Sequence, residues 1–314
     1  MKHITRRRFL AITAFGAMGL AAGSAKSTKS KRVEWHGYAL GADVSITLFG
    51  EKQKAELALK EAISNVRRLE AVFSIYNPSS TLSRLNKNGA IPLSKEDGQD
   101  FANLMKAVDW VHRQTQGLFD PTVQPLFDLY KHAHGRPSQQ DQMSALQHIG
   151  WDKVTISSDK IAYAQPDMSM TLNGIAQGYI TDEIKRILAR QGFEATLVNM
   201  GEYAAGDRLA RIGIADANDE IFDVAELKDQ AIATSSPSAY GLKDGSSHII
   251  HPQLGAYQSL WDTVSVVAKE ATYADGYSTA LTLAQSTELA KELKRKGLVE
   301  RVILKAVSGE IIKI

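Results

Sequence analysis

The chain has 314 residues, of which 44% are hydrophobic, 23% charged and 7% aromatic, the composition of a folded globular protein rather than a disordered, fibrous or repeat chain. It has no cysteine, which excludes disulfides, thiolate zinc sites, iron–sulfur clusters and a cysteine nucleophile, and leaves oxygen and nitrogen to do the chemistry. The formal charge of +2 rests on Lys2, Arg6, Arg7 and Arg8; beyond residue 25 there are 33 basic against 35 acidic residues, too little positive field for binding nucleic acid or a membrane surface.

Thr5-Arg6-Arg7-Arg8-Phe9-Leu10, an apolar run over residues 11–22 and Gly23-Ser24-Ala25 read as a twin-arginine export signal, an address read by a receptor. The apolar run falls short of the roughly 20 residues that span a bilayer. The expectation is a signal over residues 1–25, a flexible tether over 26–32 and one domain over 33–314, periplasmic and without stable membrane insertion. Alternation predicts strands at 33–38 and 44–49 around Leu40-Gly41-Ala42-Asp43. Leu57, Ala58, Ala62, Val66, Leu69 and Phe73 recur at helical spacing and predict a helix over 51–72. A polar loop over 77–88 and a helix over 99–116 closed by Gly117 follow.

Further on, a helix is predicted near 139–149, strands at 154–157, 161–164 and 168–172, and a helix over 175–191. Strands at 195–199, 208–215, 231–234, 247–250 and 264–268 precede a helix over 274–296 with a slack centre. A terminal strand pair closes the chain at 302–304 and 311–312. This mixed order argues for an α+β fold with one interlocked core.

Four segments can carry chemistry. In Asp275-Gly276-Tyr277-Ser278-Thr279 the i, i+3 and i+4 positions put three oxygen-bearing side chains on one helix face, a hard-ligand set that suits Mg2+ shared with substrate phosphates; Asp275 would equally serve as a helix cap. Asn173-Gly174-Ile175-Ala176-Gln177-Gly178 joins a strand to a helix, where glycines and helix amides can approach a phosphate or simply make a tight turn. It is neither a dinucleotide fingerprint nor a P-loop. His248-Ile249-Ile250-His251-Pro252 offers a general base near neutral pH or a hydrogen-bonded structural histidine, and the i, i+3 spacing on a strand speaks against joint metal ligation. Phe73-Ser74-Ile75-Tyr76 offers an aromatic edge for stacking on a planar ring or for core packing.

Taken in order, seven runs resemble the FAD:protein FMN transferase (ApbE-type) family. They are Phe73-Ser74-Ile75-Tyr76 through Ser80-Thr81-Leu82-Ser83-Arg84-Leu85-Asn86, Gly117-Leu118-Phe119-Asp120-Pro121-Thr122-Val123, and Asn173-Gly174-Ile175-Ala176-Gln177-Gly178-Tyr179. Leu197-Val198-Asn199-Met200-Gly201-Glu202, Ala233-Thr234-Ser235, His248-Ile249-Ile250-His251-Pro252 and Thr272-Tyr273-Ala274-Asp275-Gly276-Tyr277-Ser278-Thr279-Ala280-Leu281 complete the series.

The resemblance implies a single ApbE-type domain with mixed β-sheets and packed helices around a T-fold-like core. It also implies FAD as substrate, Mg2+ as cofactor, and transfer of the FMN half of FAD to a Ser or Thr hydroxyl of an acceptor flavoprotein, releasing AMP. By the same resemblance Gly174, Asp275, Ser278 and Thr279 hold the metal, and His248 deprotonates the acceptor, with Asp275 also counted as catalytic. Leu40, Tyr76 and Ile249 meet the flavin, Leu118, Phe119 and Asp120 the adenosine, and Thr171 and Gln177 the rest of FAD.

The family usually reads Asp-Leu-Gly-Gly-Ile-Ala-Lys-Gly where this chain has Thr171-Leu172-Asn173-Gly174-Ile175-Ala176-Gln177-Gly178, so a carboxylate and a cation are missing. His251 replaces the usual Asp before Pro252. The wording around Gly178, with the twin-arginine motif, looks like the NosX branch, which implies a NosR-like acceptor of nitrous oxide respiration. An Mg2+-dependent FAD pyrophosphatase and a non-catalytic FAD carrier are the competing readings.

Overall fold

The computed structural model describes residues 10–15, 31–157, 159–237 and 247–314. In chain order they form β1 (Leu10–Phe15), β2 (Lys31–Ala39), β3 (Ala42–Gly50), α1 (Lys52–Phe73), α2 (Thr81–Asn88), β4 (Ala90–Pro92), α3 (Lys95–Gln114), α4 (Gln124–His132) and α5 (Gln139–Gln147). Then come β5 (Val154–Ile156), β6 (Lys160–Tyr163), α6 (Ala176–Arg190), β7 (Thr196–Asn199), β8 (Tyr203–Ala205), β9 (Ala210–Ala215), β10 (Ile221–Leu227) and β11 (Ala231–Ser235). β12 (Trp261–Ala268), α7 (Ala271–Leu281), α8 (Glu288–Arg295), β13 (Arg301–Ala306) and β14 (Ile311–Lys313) complete the α+β fold.

An eight-stranded sheet in the order β14-β13-β12-β11-β8-β7-β3-β2 organises the molecule. The sheets expected as mixed are antiparallel in every described ladder. Both faces of the large sheet are buried at its centre, and alternation along the strands sorts residues between them. Val198, Ala233, Val264, Val266, Val302 and Leu304 join the core that includes α1, α6 and α7. Their neighbours Leu197, Ile232, Val267 and Ile303 face Ile212, Ile214, Ala225 and Leu227 of β9 and β10 on the other side. Each fully buried Ile, Leu or Val contributes about 1.5–3 kcal/mol, so this double burial fixes strand register: a one-residue slip would exchange the two cores.

Helix α1 buries Ala55, Leu59, Ala62, Val66, Leu69 and Phe73. Leu57, expected within that stripe, is 62% exposed, because the 3.6-residue repeat that buries positions 55, 59 and 62 turns position 57 outward. β2 and β3 form a hairpin whose two linking residues, Leu40 and Gly41, have φ of 54° and 78°, the positive values a type I′ turn requires. A leucine in that region is strained. It is held there by burial of its side chain and by its amide, which donates to Glu70 Oε1 at 2.8 Å.

Several segments differ from the sequence reading. The polar stretch over 77–88 contains α2, capped by Ser80, whose Oγ accepts from Ser83 N, and closed by Gly89 at φ 72°. Residues 168–172 make no strand; they are a buried segment pinned where Met170 N donates to Asn86 Oδ1 and Thr171 N to the Pro121 carbonyl. Residues 247–250 also make no strand; just beyond them His251 and Gly255 form an isolated bridge. The helix expected over 274–296 is two, because Ser259 Oγ and Trp261 Nε1 take the carbonyls of Thr282 and Ala284 at its break. β4, β8 and β10 were not anticipated.

Residues 1–9 and 16–30 of the expected signal and tether lie outside the described residues. Within them Leu10–Phe15 forms β1, antiparallel to β9 in an outer sheet of order β1-β9-β10. The last two tether residues, Lys31 and Arg32, begin β2. No described helix is long and apolar enough to cross a membrane.

Candidate active site

Helix α6, with the turn over residues 173–175 that leads into it, runs antiparallel to α7 and meets it at three levels, four residues apart on each. At the first, Gly174 lies so close to Thr279 that a Cβ on Gly174 would stand 2.8 Å from Thr279 Oγ1. At the second, Gly178 N donates to Asp275 Oδ2 at 3.0 Å, and a Cβ on Gly178 would stand 2.3 Å from the Ala271 carbonyl oxygen. At the third, Asp182 accepts from Ala271 N and Thr272 N, each at 2.8 Å, and from Thr272 Oγ1 at 2.5 Å. The two glycines are therefore a packing requirement: nothing larger allows the helices this separation.

This contact gathers the oxygens assigned from sequence. Thr279 Oγ1 lies 3.4 Å from the Gly174 carbonyl, to which it donates. Ser278 Oγ, fully buried, donates to the Asp275 carbonyl at 3.0 Å and lies 2.8 Å from Ser235 Oγ. Ser235 Oγ is also 3.5 Å from Thr279 Oγ1. Asp275 itself is 3% exposed. Among the described residues no three His, Cys, Asp or Glu side chains come together, so a cation here would rest on one carboxylate with carbonyl and hydroxyl oxygens. That donor set fits a hard divalent ion that keeps further positions for water or phosphate oxygens.

An exposed aromatic ring stands beside the segment that leads into this cluster. Tyr76, 63% exposed just beyond α1, receives a hydrogen bond at its hydroxyl from Asn173 Nδ2 at 2.9 Å. A Cβ on Gly41 would be 3.6 Å from the same ring, so the Leu40-Gly41 turn lies alongside it. Thr171 is joined through its amide to Pro121, and its hydroxyl accepts from Asn173 N at 3.3 Å. Asp120 Oδ1 accepts from Thr122 N and Thr122 Oγ1, and its Oδ2 from Trp151 N. Phe119 is buried in the main core, its carbonyl 2.9 Å from His112 Nδ1, and Leu118 packs against the same core.

Gln177 points elsewhere. It is 3% exposed, donates to the Met200 carbonyl at 3.0 Å, and lies where a Cβ on Gly201 would come within 2.4 Å of its amide nitrogen. Its side chain ties α6 to the turn after β7.

His248 and Ile249 are half-buried on a loop with different supports. Ile249 N donates to Ser247 Oγ, Ile250 packs with Leu126, Tyr130 and Ile149, and Gln142 Nε2 donates to the Leu254 carbonyl. His251 organises this loop: its Nδ1 accepts from Gln253 N at 3.1 Å and Leu254 N at 3.3 Å. An aspartate before proline makes the same Asx-type turn with a carboxylate oxygen, which explains how His replaces the family's Asp. Burial lowers the His251 pKa, favouring the neutral ring that can accept.

Two residues were not singled out from sequence. Ser235, inside a quoted motif, joins the oxygen cluster from the end of β11, and only the strand register reveals it. Asp182 reads as an ordinary helix acid until α7 is seen to begin on it.

Residues 40–303 match the ApbE family. The FAD:protein FMN transferase of Haemophilus influenzae is 25% identical over 294 residues, covering 86% of this chain and 84% of that protein. The enzyme of the same description from Escherichia coli K12 is 28% identical over 314 residues, covering 90% and 86%. Among solved structures, the ApbE protein of Thermotoga maritima superposes with a TM-score of 0.78 at 24% identity, covering 90% of this chain and 97% of that one. The flavin transferase ApbE from Vibrio cholerae gives 0.75 at 21% identity, covering 91% and 97%.

Proposed function

Because the chain belongs to the ApbE family, we propose that it is an FAD:protein FMN transferase dependent on a divalent cation, Mg2+ foremost. The observation that carries this reading is the convergence of the Gly174 carbonyl with the Thr279, Ser235 and Ser278 hydroxyls, one helical turn from the buried Asp275 carboxylate and beside Asn173, which holds an exposed tyrosine. In the reaction an acceptor Ser or Thr hydroxyl attacks the FMN-side phosphorus of FAD. The P–O bond to the AMP half breaks, AMP leaves, and FMN remains on the acceptor as a phosphodiester.

Asp275, Thr279 and the Gly174 carbonyl would hold the cation, with Ser278 beside them. When bound, it neutralises diphosphate charge and the charge that develops on the leaving oxygen. Tyr76 offers the ring on which the isoalloxazine stacks, with Leu40 and Ile249 as its apolar neighbours. Thr171 and the Leu118–Asp120 turn, joined through Pro121, supply the side facing the adenosine. His248 takes the proton of the acceptor hydroxyl, a role that suits an imidazole near neutral pH. Gln177, engaged with Met200, leaves phosphate charge to the cation.

The twin-arginine motif supports a periplasmic site of action, and the NosX-like wording supports a NosR-like acceptor. The test is to mix the full chain with FAD, Mg2+ and the flavin-accepting domain of such a protein, then read flavin fluorescence in the denatured acceptor band. A fluorescent band that disappears with EDTA is expected. Free FMN without labelled acceptor would replace the transferase by a pyrophosphatase, and intact FAD by a carrier, provided the acceptor is labelled by a standard family member.

A further inference from the structure

The third level of the α6–α7 contact lies away from the oxygens that would meet substrate, yet it begins the helix that carries them. α7 has no capping side chain of its own: Glu270, which precedes it, makes no cap hydrogen bond. Its first two amides, Ala271 N and Thr272 N, are instead taken by the two oxygens of Asp182 from α6, with Thr272 Oγ1 as a third donor. A carboxylate facing a helix N-terminus satisfies otherwise unpaired amides and the positive end of the helix dipole. Here it does so across a helix pair, so it fixes the translation and rotation of α7 relative to α6.

We infer that Asp182 is a positioning residue for the cation, setting the register of α7 so that the Asp275 carboxylate lies against Gly178 and Thr279 Oγ1 against the Gly174 carbonyl. The spacing carries the inference. Positions 174, 178 and 182 of one segment face 279, 275 and 271 of the other in steps of four. A shift of α7 at Asp182 is therefore transmitted along a rigid helix to Asp275 and Thr279. The steric level at Gly178 prevents approach but not separation; the hydrogen bonds of Asp182 and of Asp275 resist separation. Burial, with Glu270 as a neighbouring like charge, pushes the Asp182 carboxyl up to about 6, so at neutral pH the chain maintains a charge in its interior against the donors of Ala271 and Thr272. A purely apolar contact would have packed the helices without that cost.

The inference rests on the cation site proposed above, and its test separates the two. Mn2+ is titrated into the full chain with saturating FAD and no acceptor, following free Mn2+ by electron paramagnetic resonance, for the parent and for Asp182→Asn, Thr272→Val and Thr272→Ser. Thermal melting without metal is measured in parallel. Asp182→Asn turns an amide NH2 toward a backbone donor and is expected to weaken Mn2+ binding tenfold or more. Thr272→Val should weaken it severalfold, and Thr272→Ser should restore it. In a parallel assay with the flavin-accepting domain added, labelling at saturating Mn2+ should stay within twofold of the parent, an affinity effect without a rate effect. If Asp182→Asn does not fold, the Thr272 pair decides. Parent-like Mn2+ affinity in the folded variants, even with a lower melting temperature, would reduce Asp182 to a structural cap. A parent that binds no Mn2+ would overturn the cation site and this inference together.

Discussion

Gly178→Ala is the sharpest test of the helix pair, because two effects of opposite sign meet there. In a helix interior, Ala is favoured over Gly by about 1 kcal/mol, so without a steric neighbour the substitution should stabilise the protein. A Cβ at this position would stand 2.3 Å from the Ala271 carbonyl oxygen and 2.9 Å from Asp275 Cβ, about 1 Å inside the roughly 3.3 Å of a relaxed carbon–oxygen contact. The obstacle is backbone, which no rotamer change can clear. Overpacking of this kind costs about 1–3 kcal/mol, and separation of the helices also weakens the Gly178–Asp275 hydrogen bond, a charged-acceptor bond of about 1.5–3 kcal/mol. The net expectation is a loss of about 2 kcal/mol, which lowers the melting temperature by roughly 3 °C in a protein of this size. Gly276→Ala is the internal control: it has the same helix gain, but its Cβ would meet Val111 methyl groups at 3.0 and 3.1 Å, side-chain atoms that can shift, and it should fall within about 1 kcal/mol of the parent. Urea unfolding with an unchanged slope on denaturant measures both. A Gly178→Ala protein at least as stable as the parent would refute the close-packed helix pair.

His248→Ala should abolish FMN transfer while leaving FAD binding largely intact, as read by flavin fluorescence titration against acceptor labelling; equal labelling by the variant would remove His248 from the mechanism. Gln177→Ala leaves the buried Met200 carbonyl without this donor and should cost about 1–3 kcal/mol in urea unfolding, whereas an unchanged midpoint would mean the Gln177–Met200 bond is not formed in solution. His251 has a depressed folded pKa, so the unfolded chain binds the proton more readily. Its stabilising contribution is therefore complete above about 6.5 and is lost as pH falls from there through the folded value. Asp182, raised to about 6, acts with the opposite sign. The comparison of parent with His251→Asp isolates the histidine: the variant should keep the loop's amide protection at pH values where the parent loses it, and identical pH profiles for the Leu254 amide would contradict the assigned turn.

What the sequence discloses depends on how local the cause is. α1 is legible because Ala55 through Phe73 carry their burial in a 3.6-residue repeat, and β2 because its alternation survives at an edge. β8 is invisible because Tyr203, Ala204 and Ala205 are all buried and show no alternation. α2 hides in Ser and Asn, whose capping role at Ser80 resembles a loop until the bond to Ser83 is drawn. The oxygens of Asp275, Ser278 and Thr279 are readable together because they share one helix. Ser235 and Asp182 are not, since their partners stand 43 and about 90 positions away and are supplied by tertiary packing alone.

β9 is the central strand of the outer sheet only while β1 lies beside it, from Leu10 opposite Ile214 to Phe15 opposite Ala210. A chain that begins beyond Phe15 would present the same backbone to solvent as a row of unpaired amides and carbonyls, a template on which copies of a protein add strand to strand. Two properties already present oppose that outcome: the strand is six residues long, and Arg211 stands exposed within it beside Glu226, placing charged side chains along the edge. Solubility of a processed form would then depend on one arginine far from the helix pair. A chain of residues 26–314 with Arg211→Val should self-associate in sedimentation runs at concentrations where the same chain with Arg211 stays monomeric, and equal sedimentation of the two would show that the edge is protected by something else.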